Sequence, residues 1–412
     1  MRASFTHHRS TVRAHVALAA IAFLLASCAT PPRASQPPST NEGGSARAYG
    51  ATPGDARDEE RRLAARLFGS GRAAPAWDDA LSIAAGELAA RVRGEGRASL
   101  ATDSEEIRLA QARAGAVMAD FRPLVVLAST AAAAQERLRQ TVADLPADPE
   151  HRWRMGLGIA QGADRTAIVL LLATAGVDLE PLPSRISIGE ERLVAGRLVA
   201  LEAPAIHVTP PKGRPREVAV EVDRSGRFYA PLRFDAAGVW WVEILGRGKR
   251  GPAVAALLPV HVGTPIAARA ASKGEPPEPA DVAGKERVLA DEANRLRRSR
   301  GLAPLLVDPV LAKVARAYAE ELRATGRFAH VSERSGDVGA RLRAAGYRYD
   351  RAGENLAHTS TAARAHRSLV QSPAHLAVLT DPAWREAGFG VAIVDDPPGV
   401  IVVEVFARPA DR

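Results

Sequence analysis

The chain has 412 residues, 46% of them hydrophobic, and at roughly 100–200 residues per domain it should fold as several domains with separate cores. Its net charge of +8 comes from Arg interspersed with acidic residues, as in Arg57-Asp58-Glu59-Glu60-Arg61-Arg62, and aromatics are only 5%. That pattern excludes a nucleic-acid surface, which needs a basic stripe with aromatic platforms, and leaves a mild attraction for acidic polymers or anionic membranes.

The N-terminus reads as an address. Arg2, His7, His8, Arg9 and Arg13 form a basic stretch, and residues 16–26 (VALAAIAFLLA) form an apolar run. The run is shorter than the roughly 20 residues a membrane span needs, and it fits a secretory signal. It ends in Leu25-Ala26-Ser27-Cys28, the single cysteine of the chain. One cysteine excludes an internal disulfide and a multi-thiol metal site. The four residues resemble a bacterial lipobox. That resemblance implies a signal peptide over 1–27, lipidation of Cys28 and stable membrane attachment. Ala29 after the cysteine, by resemblance to the sorting rule of enteric bacteria, implies the outer membrane of the cell envelope. Residues 28–54 are rich in Pro, Ser and Gly and read as a tether.

Residues 55–178 are expected to be α+β. Apolar residues recur at helical spacing at Leu63, Leu67 and Phe68 and again from Leu81 to Val92, with Asp78 or Asp79 as cap. Further helices are predicted over 105–118 and 124–142. Met155–Ala160 and Thr166–Ala173 read as strands.

Residues 182–263 carry seven short β-rich runs, including 218–222, separated by turn signals such as Asp223-Arg224-Ser225-Gly226. This predicts an immunoglobulin-like β-sandwich. Trp240 and Trp241 fall on opposite faces of one strand, and His207 and His261 read as structural. A Pro-rich linker is expected over 264–283.

Residues 284–412 form the last expected domain. A helix runs over 286–298. Asp308-Pro309 has the cap-plus-proline signature of a helix start, and Gly326 stops that helix. Ser372-Pro373 repeats the signature and places His375 in a first helical turn, where imidazolium is disfavoured. Two strands close the domain, around residues 388–393 and 400–406. His330 (in Phe328-Ala329-His330), Glu354 (in Gly353-Glu354-Asn355) and His375 (in Ser372-Pro373-Ala374-His375) are the candidate functional groups.

The ordered motifs, with Leu302-Ala303-Pro304-Leu305 and Gly388-Phe389-Gly390-Val391-Ala392, resemble a bacterial CAP domain. This is the superfamily of cysteine-rich secretory proteins, antigen 5 and pathogenesis-related 1 proteins. The resemblance covers about 284–408 and implies an α-β-α sandwich with a cleft. It places His330, Glu354 and His375 in that cleft, and Asn355 and Glu404 are expected to line it. Leu369 stands where the bacterial pattern usually has Trp, and Glu404 where it usually has Gln. The second cleft glutamate and late histidine of eukaryotic members have no match.

Residues 60–178 also parallel the last domain in order and spacing. Asp78 matches Asp308, Asp148-Pro149 matches Asp381-Pro382, and Gly156 matches Gly388. A degenerate CAP-like repeat without cleft chemistry is the expectation.

Three functions stay open. The first is a lipid-anchored protein whose cleft binds a lipid, peptide, glycan or envelope protein without turnover. The second is a metal-assisted hydrolase of envelope peptides or glycans. There His330, Glu354 and His375 would hold zinc, or Glu354 would act as general base. The third is an envelope spacer. No arrangement around Ser332, Ser335 or Ser372 points to serine catalysis.

Overall fold

The computed structural model describes residues 46–51, 57–68, 74–143, 153–270, 277–395 and 398–410. Cys28, the apolar run before it, most of the tether and Asp148-Pro149 lie outside them. Among the described residues no helix is long and apolar enough to cross a membrane.

The first region contains β1 (Ala48–Tyr49), α1 (Asp58–Phe68), β2 (Ala76–Trp77), α2 (Asp79–Glu95), α3 (Ser104–Ala114), β3 (Phe121–Ala128), α4 (Ala131–Ala143), β4 (Trp153–Gln161) and β5 (Thr166–Thr174). Asp78 caps α2 by accepting from the Leu81 N–H. The helix expected over 105–118 ends at Ala114, because Gly115 adopts a left-handed conformation and closes it. The helix expected over 124–142 is a strand followed by a helix. Pro123 and the run Leu124-Val125-Val126-Leu127 favour an extended edge strand, and Ser129 and Thr130 break it before α4. The sheet order is β2-β4-β5-β3, with β2 parallel to β4 and the other pairs antiparallel. Residues of β5 alternate between two cores. Ala167, Val169 and Leu171 pack under α2 and α3, while Ile168, Leu170 and Leu172 pack under α1 and α4.

The middle region contains β6 (Val177–Leu179), β7 (Leu182–Pro183), β8 (Arg185–Ile186), β9 (Glu190–Leu198), β10 (Glu202–Thr209), β11 (Arg216–Val218), β12 (Glu221–Val222), β13 (Arg227–Phe234), β14 (Gly238–Gly248) and β15 (Gly251–Val262). One sheet runs β11-β10-β14-β15-β8 and the other β12-β13-β9-β6. They share one core, with Ile206, Val242, Ile244, Leu258 and Val260 from the first and Val194, Phe228, Leu232 and Phe234 from the second. The single strand expected over 218–222 is split, because the chain leaves one sheet after Val218 and joins the other at Glu221. Trp240 is buried, with its ring edge-on to Phe234 at 5.3 Å, whereas Trp241 is partly exposed.

The last region contains α5 (Val282–Ser299), β16 (Leu306–Val307), α6 (Pro309–Thr325), α7 (Val338–Ala344), β17 (Tyr349–Thr359), α8 (Ala362–Gln371), α9 (Pro373–Leu379), β18 (Glu386–Asp395) and β19 (Pro398–Pro409). Helix α5 starts inside the expected linker, because the Asp281 side chain caps it through the Gly284 N–H at 2.6 Å. The sheet runs β16-β18-β19-β17, and β16 is parallel to β18. Helices α5 and α8 cover one face, and α6 and α7 the other.

The first and last regions therefore share sheet order, strand sense and helix layering. The packing details agree too. Asp78 donates its N–H to the Met155 carbonyl at 2.8 Å, and Asp308 donates to Ala387 at 2.9 Å. A Cβ on Gly156 would lie 2.1 Å from the Leu81 backbone, and one on Gly388 would lie 2.1 Å from the Leu311 backbone. In each case glycine lets the capped helix rest directly on the strand.

Candidate functional site

Strand β17 decides where the polar groups go. Its residues alternate between faces, so neighbours Glu354 and Asn355 serve different surroundings. Glu354 pairs in register with Val405 on the α6/α7 face. There Glu354 Oε1 lies 3.0 Å from His330 Nδ1, and Arg341 on α7 donates to Oε2. Arg341 and Glu354 side chains are 5% and 3% exposed, while His330 keeps 30%. The Arg341 guanidinium stacks 3.4 Å from the Tyr318 ring centroid and donates to the Gly336 carbonyl at 2.6 Å. Burial pushes the Tyr318 hydroxyl up to about 12. The carboxylate is thus neutralised on one oxygen and held by an imidazole on the other.

Asn355 and Glu404, expected to line the cleft, are fully buried. They pair in register on the opposite face of the sheet from Glu354. Asn355 Nδ2 donates to Glu404 Oε2 at 3.1 Å and to the His375 carbonyl at 3.3 Å. Glu404 Oε1 and Asn355 Oδ1 have no hydrogen-bond partner. Burial raises the Glu404 carboxyl to about 7, with the Asn355 hydrogen bond pulling against it.

His375 sits in the first turn of α9, as its Ser-Pro signature predicts. Ser372 caps the helix, and Pro373 is its first residue. Burial, then the neighbouring His330, push the imidazole down to about 3, so the ring is neutral. His375 Nδ1 lies 2.5 Å from Ser372 Oγ. The middle region also enters the site. Glu243 of β14, fully buried, accepts from Ser372 Oγ at 2.5 Å and from the Ala374 N–H at 2.7 Å. The hairpin joining β14 and β15 approaches His330, since a Cβ on Gly251 would lie 4.0 Å from the His330 Cβ. Between Arg250 of that hairpin and Glu321, Val331 and Ser332 lies a cavity of about 130 Å³, room for only a few waters.

Arg341, Tyr318 and Glu243 escaped the sequence reading. None sits in a local motif; each reaches the site through tertiary packing.

Among the described residues no group of three or more His, Cys, Asp or Glu side chains is placed to hold a metal ion. Both Glu354 oxygens are engaged, one by His330 and the other by Arg341.

Comparison with known proteins bears on this layout. The model of the cysteine-rich secretory protein family, CAP, matches residues 290–406. Residues 290–406 are a CAP domain. This CAP domain is similar to part of YkwD of Bacillus subtilis, at 28% identity over 113 residues, covering 27% of this chain and 44% of the relative. It is also similar to part of the membrane protein YlbC of the same organism, at 30% identity over 107 residues, covering 26% of this chain and 31% of the relative. The chain therefore spans less than half the length of either. Among solved structures, an outer surface protein of Borrelia burgdorferi is 23% identical, covers 32% of this chain and 96% of its own, and has a TM-score of 0.30. An extracellular SCP-domain protein of Bacillus anthracis is 18% identical, covers 54% of this chain and 66% of its own, and has a TM-score of 0.29.

Proposed function

We propose that the chain is an extracytoplasmic protein, lipid-anchored at Cys28 to the bacterial envelope, whose CAP cleft binds an envelope component without turning it over. The carrying observation is that both Glu354 oxygens are engaged, one by the Arg341 guanidinium and the other by the His330 imidazole. A carboxylate held this way is a poor general base and a good fixed scaffold for the partly exposed His330. A small ligand, such as a lipid headgroup, glycan or peptide, would meet His330 first. The apolar run before Cys28 supports the anchor and an address in the outer membrane. We read the middle region as an immunoglobulin-like sandwich. The first region is read as a degenerate CAP-like repeat, on the shared sheet order and the matched Gly156 and Gly388 contacts.

One observation favours a second reading. The Glu354–His330 contact orients an imidazole as a triad carboxylate does, so His330 could activate water without metal.

The test titrates soluble peptidoglycan fragments and lipid headgroup analogues into the full chain. Binding that weakens at least about tenfold in His330→Ala, ignores a chelator and leaves the probe intact supports the binding reading. Cleaved probe, lost in Glu354→Gln, supports the hydrolase instead. Cys28→Ser should move the protein from the membrane fraction to the soluble one.

A further inference from the structure

The Ser372 hydroxyl has one proton and two partners at equal distance. Its oxygen lies 2.5 Å from Glu243 Oε1 and 2.5 Å from His375 Nδ1. It also accepts weakly from the His375 backbone N–H at 3.4 Å. The other Glu243 oxygen accepts the Ala374 N–H at 2.7 Å. An ionised carboxylate can only accept, so the hydroxyl proton points to Glu243. The contact to Nδ1 is then a hydrogen bond only if Nδ1 carries the ring proton. The His375 ring is neutral, so it carries a single proton and its tautomer is a definite quantity.

We propose that Glu243, borne by the middle region, is a positioning residue for the CAP cleft: acting through Ser372, it fixes His375 as the Nδ1–H tautomer. Nε2 is left a bare acceptor, and a ligand meeting it must donate a hydroxyl, ammonium or amide N–H. This consequence for the ligand rests on the cleft being a binding site. The tautomer does not, and can be read without any ligand.

The alternative proton arrangement is also defined. In Glu243→Gln the Ala374 N–H still needs an acceptor, which holds the amide oxygen there. The amide NH₂ then faces Ser372 and donates to it. The hydroxyl must turn and donate to Nδ1, and the ring proton moves to Nε2.

The experiment is long-range ¹H–¹⁵N correlation of the histidine rings in the full chain with ¹⁵N-labelled histidine. The His375 signals are assigned by their loss in His375→Gln. Burial raises the Glu243 carboxyl to about 7, and Ser372, Ala374 and Arg108 oppose the rise, so spectra are taken at about pH 8.5, where the carboxylate dominates. Wild type should show Nδ1 protonated and Nε2 bare. Glu243→Gln should exchange the two resonances and leave His330 unchanged. A merely structural role for Glu243 would not move the ring proton. Nε2–H in wild type overturns the proposal, and so does an unchanged tautomer in folded Glu243→Gln. If that variant does not fold, Ser372→Ala serves: loss of the relay should give a mixture of both tautomers, and a pure Nδ1–H ring there refutes the assignment. Failure of every envelope probe to bind would remove the binding reading and leave the tautomer standing.

Discussion

Glu404→Gln should make the protein more stable, and the gain should appear only as the solution leaves the acid range. Glu404 is fully buried on β19, with one oxygen accepting from Asn355 and the other without a partner. Asn355 Oδ1, also unpartnered, is the second half of the problem. Protonation removes the buried charge, and burial holds the carboxyl at about 7. In the unfolded chain the same group titrates near 4.3. Between those values the folded state binds more protons than the unfolded state, so stability falls as pH rises through that window. A shift from about 4.3 to about 7 corresponds to at most about 3–4 kcal/mol. Gln is a neutral isostere of the protonated acid and stays uncharged at every pH. Urea unfolding of wild type and variant from about pH 4 to pH 8.5 measures the difference, with other titrating groups cancelling between them. The two should coincide near pH 4 and diverge by up to about 3–4 kcal/mol above pH 7. A difference that does not change with pH would refute the claim that Glu404 is held protonated.

Arg341→Met should cost about 3–5 kcal/mol in urea unfolding, because it strands the buried Glu354 carboxylate, and adding Glu354→Gln should recover much of the loss. Acid stability should depend on His366, a buried ring whose Nδ1 has no partner and whose value burial pushes down to about 4. Here the unfolded state binds the extra proton, so stability is lost as pH falls from about 6.5 toward 4, and His366→Leu should flatten that limb of the unfolding curve. Gly388→Ala and Gly156→Ala should each destabilise by about 1–3 kcal/mol or more in thermal unfolding, since the added carbon meets helix backbone that cannot swing away. Similar losses at both positions support the equivalence of the two regions; a neutral Gly156→Ala would count against it.

The features legible in the sequence were the local ones. Asp78, Asp308 and Ser372 announce their helices because a cap is written in adjacent residues. Gly156 and Gly388 were visible as a repeated spacing, although their cause, helix backbone against strand, was not. Strand β17 was missed, because Tyr349-Asp350-Arg351-Ala352-Gly353-Glu354-Asn355 has no apolar alternation to mark it. Without that alternation, the opposite facing of Glu354 and Asn355 is not legible in the sequence. The apolar residues of 124–142 fit a helix as well as a strand plus helix, and Pro123 was the overlooked arbiter. Arg341 and Glu243 carry no local signature at all. Their roles exist only once α7 and β14 have been brought to the site.

The Glu243 contacts also bear on how this chain can be divided for experiment. By family match, the CAP domain is a self-contained stretch of sequence, and the residues preceding α5 invite a cut. Yet the Ala374 N–H and the Ser372 hydroxyl find their acceptor on β14, in a different region. A fragment starting at residue 277 would keep every CAP motif and replace that acceptor with water. Its histidine chemistry would then describe the truncation rather than the protein, and a domain boundary drawn from homology would have passed through the middle of a hydrogen-bond network.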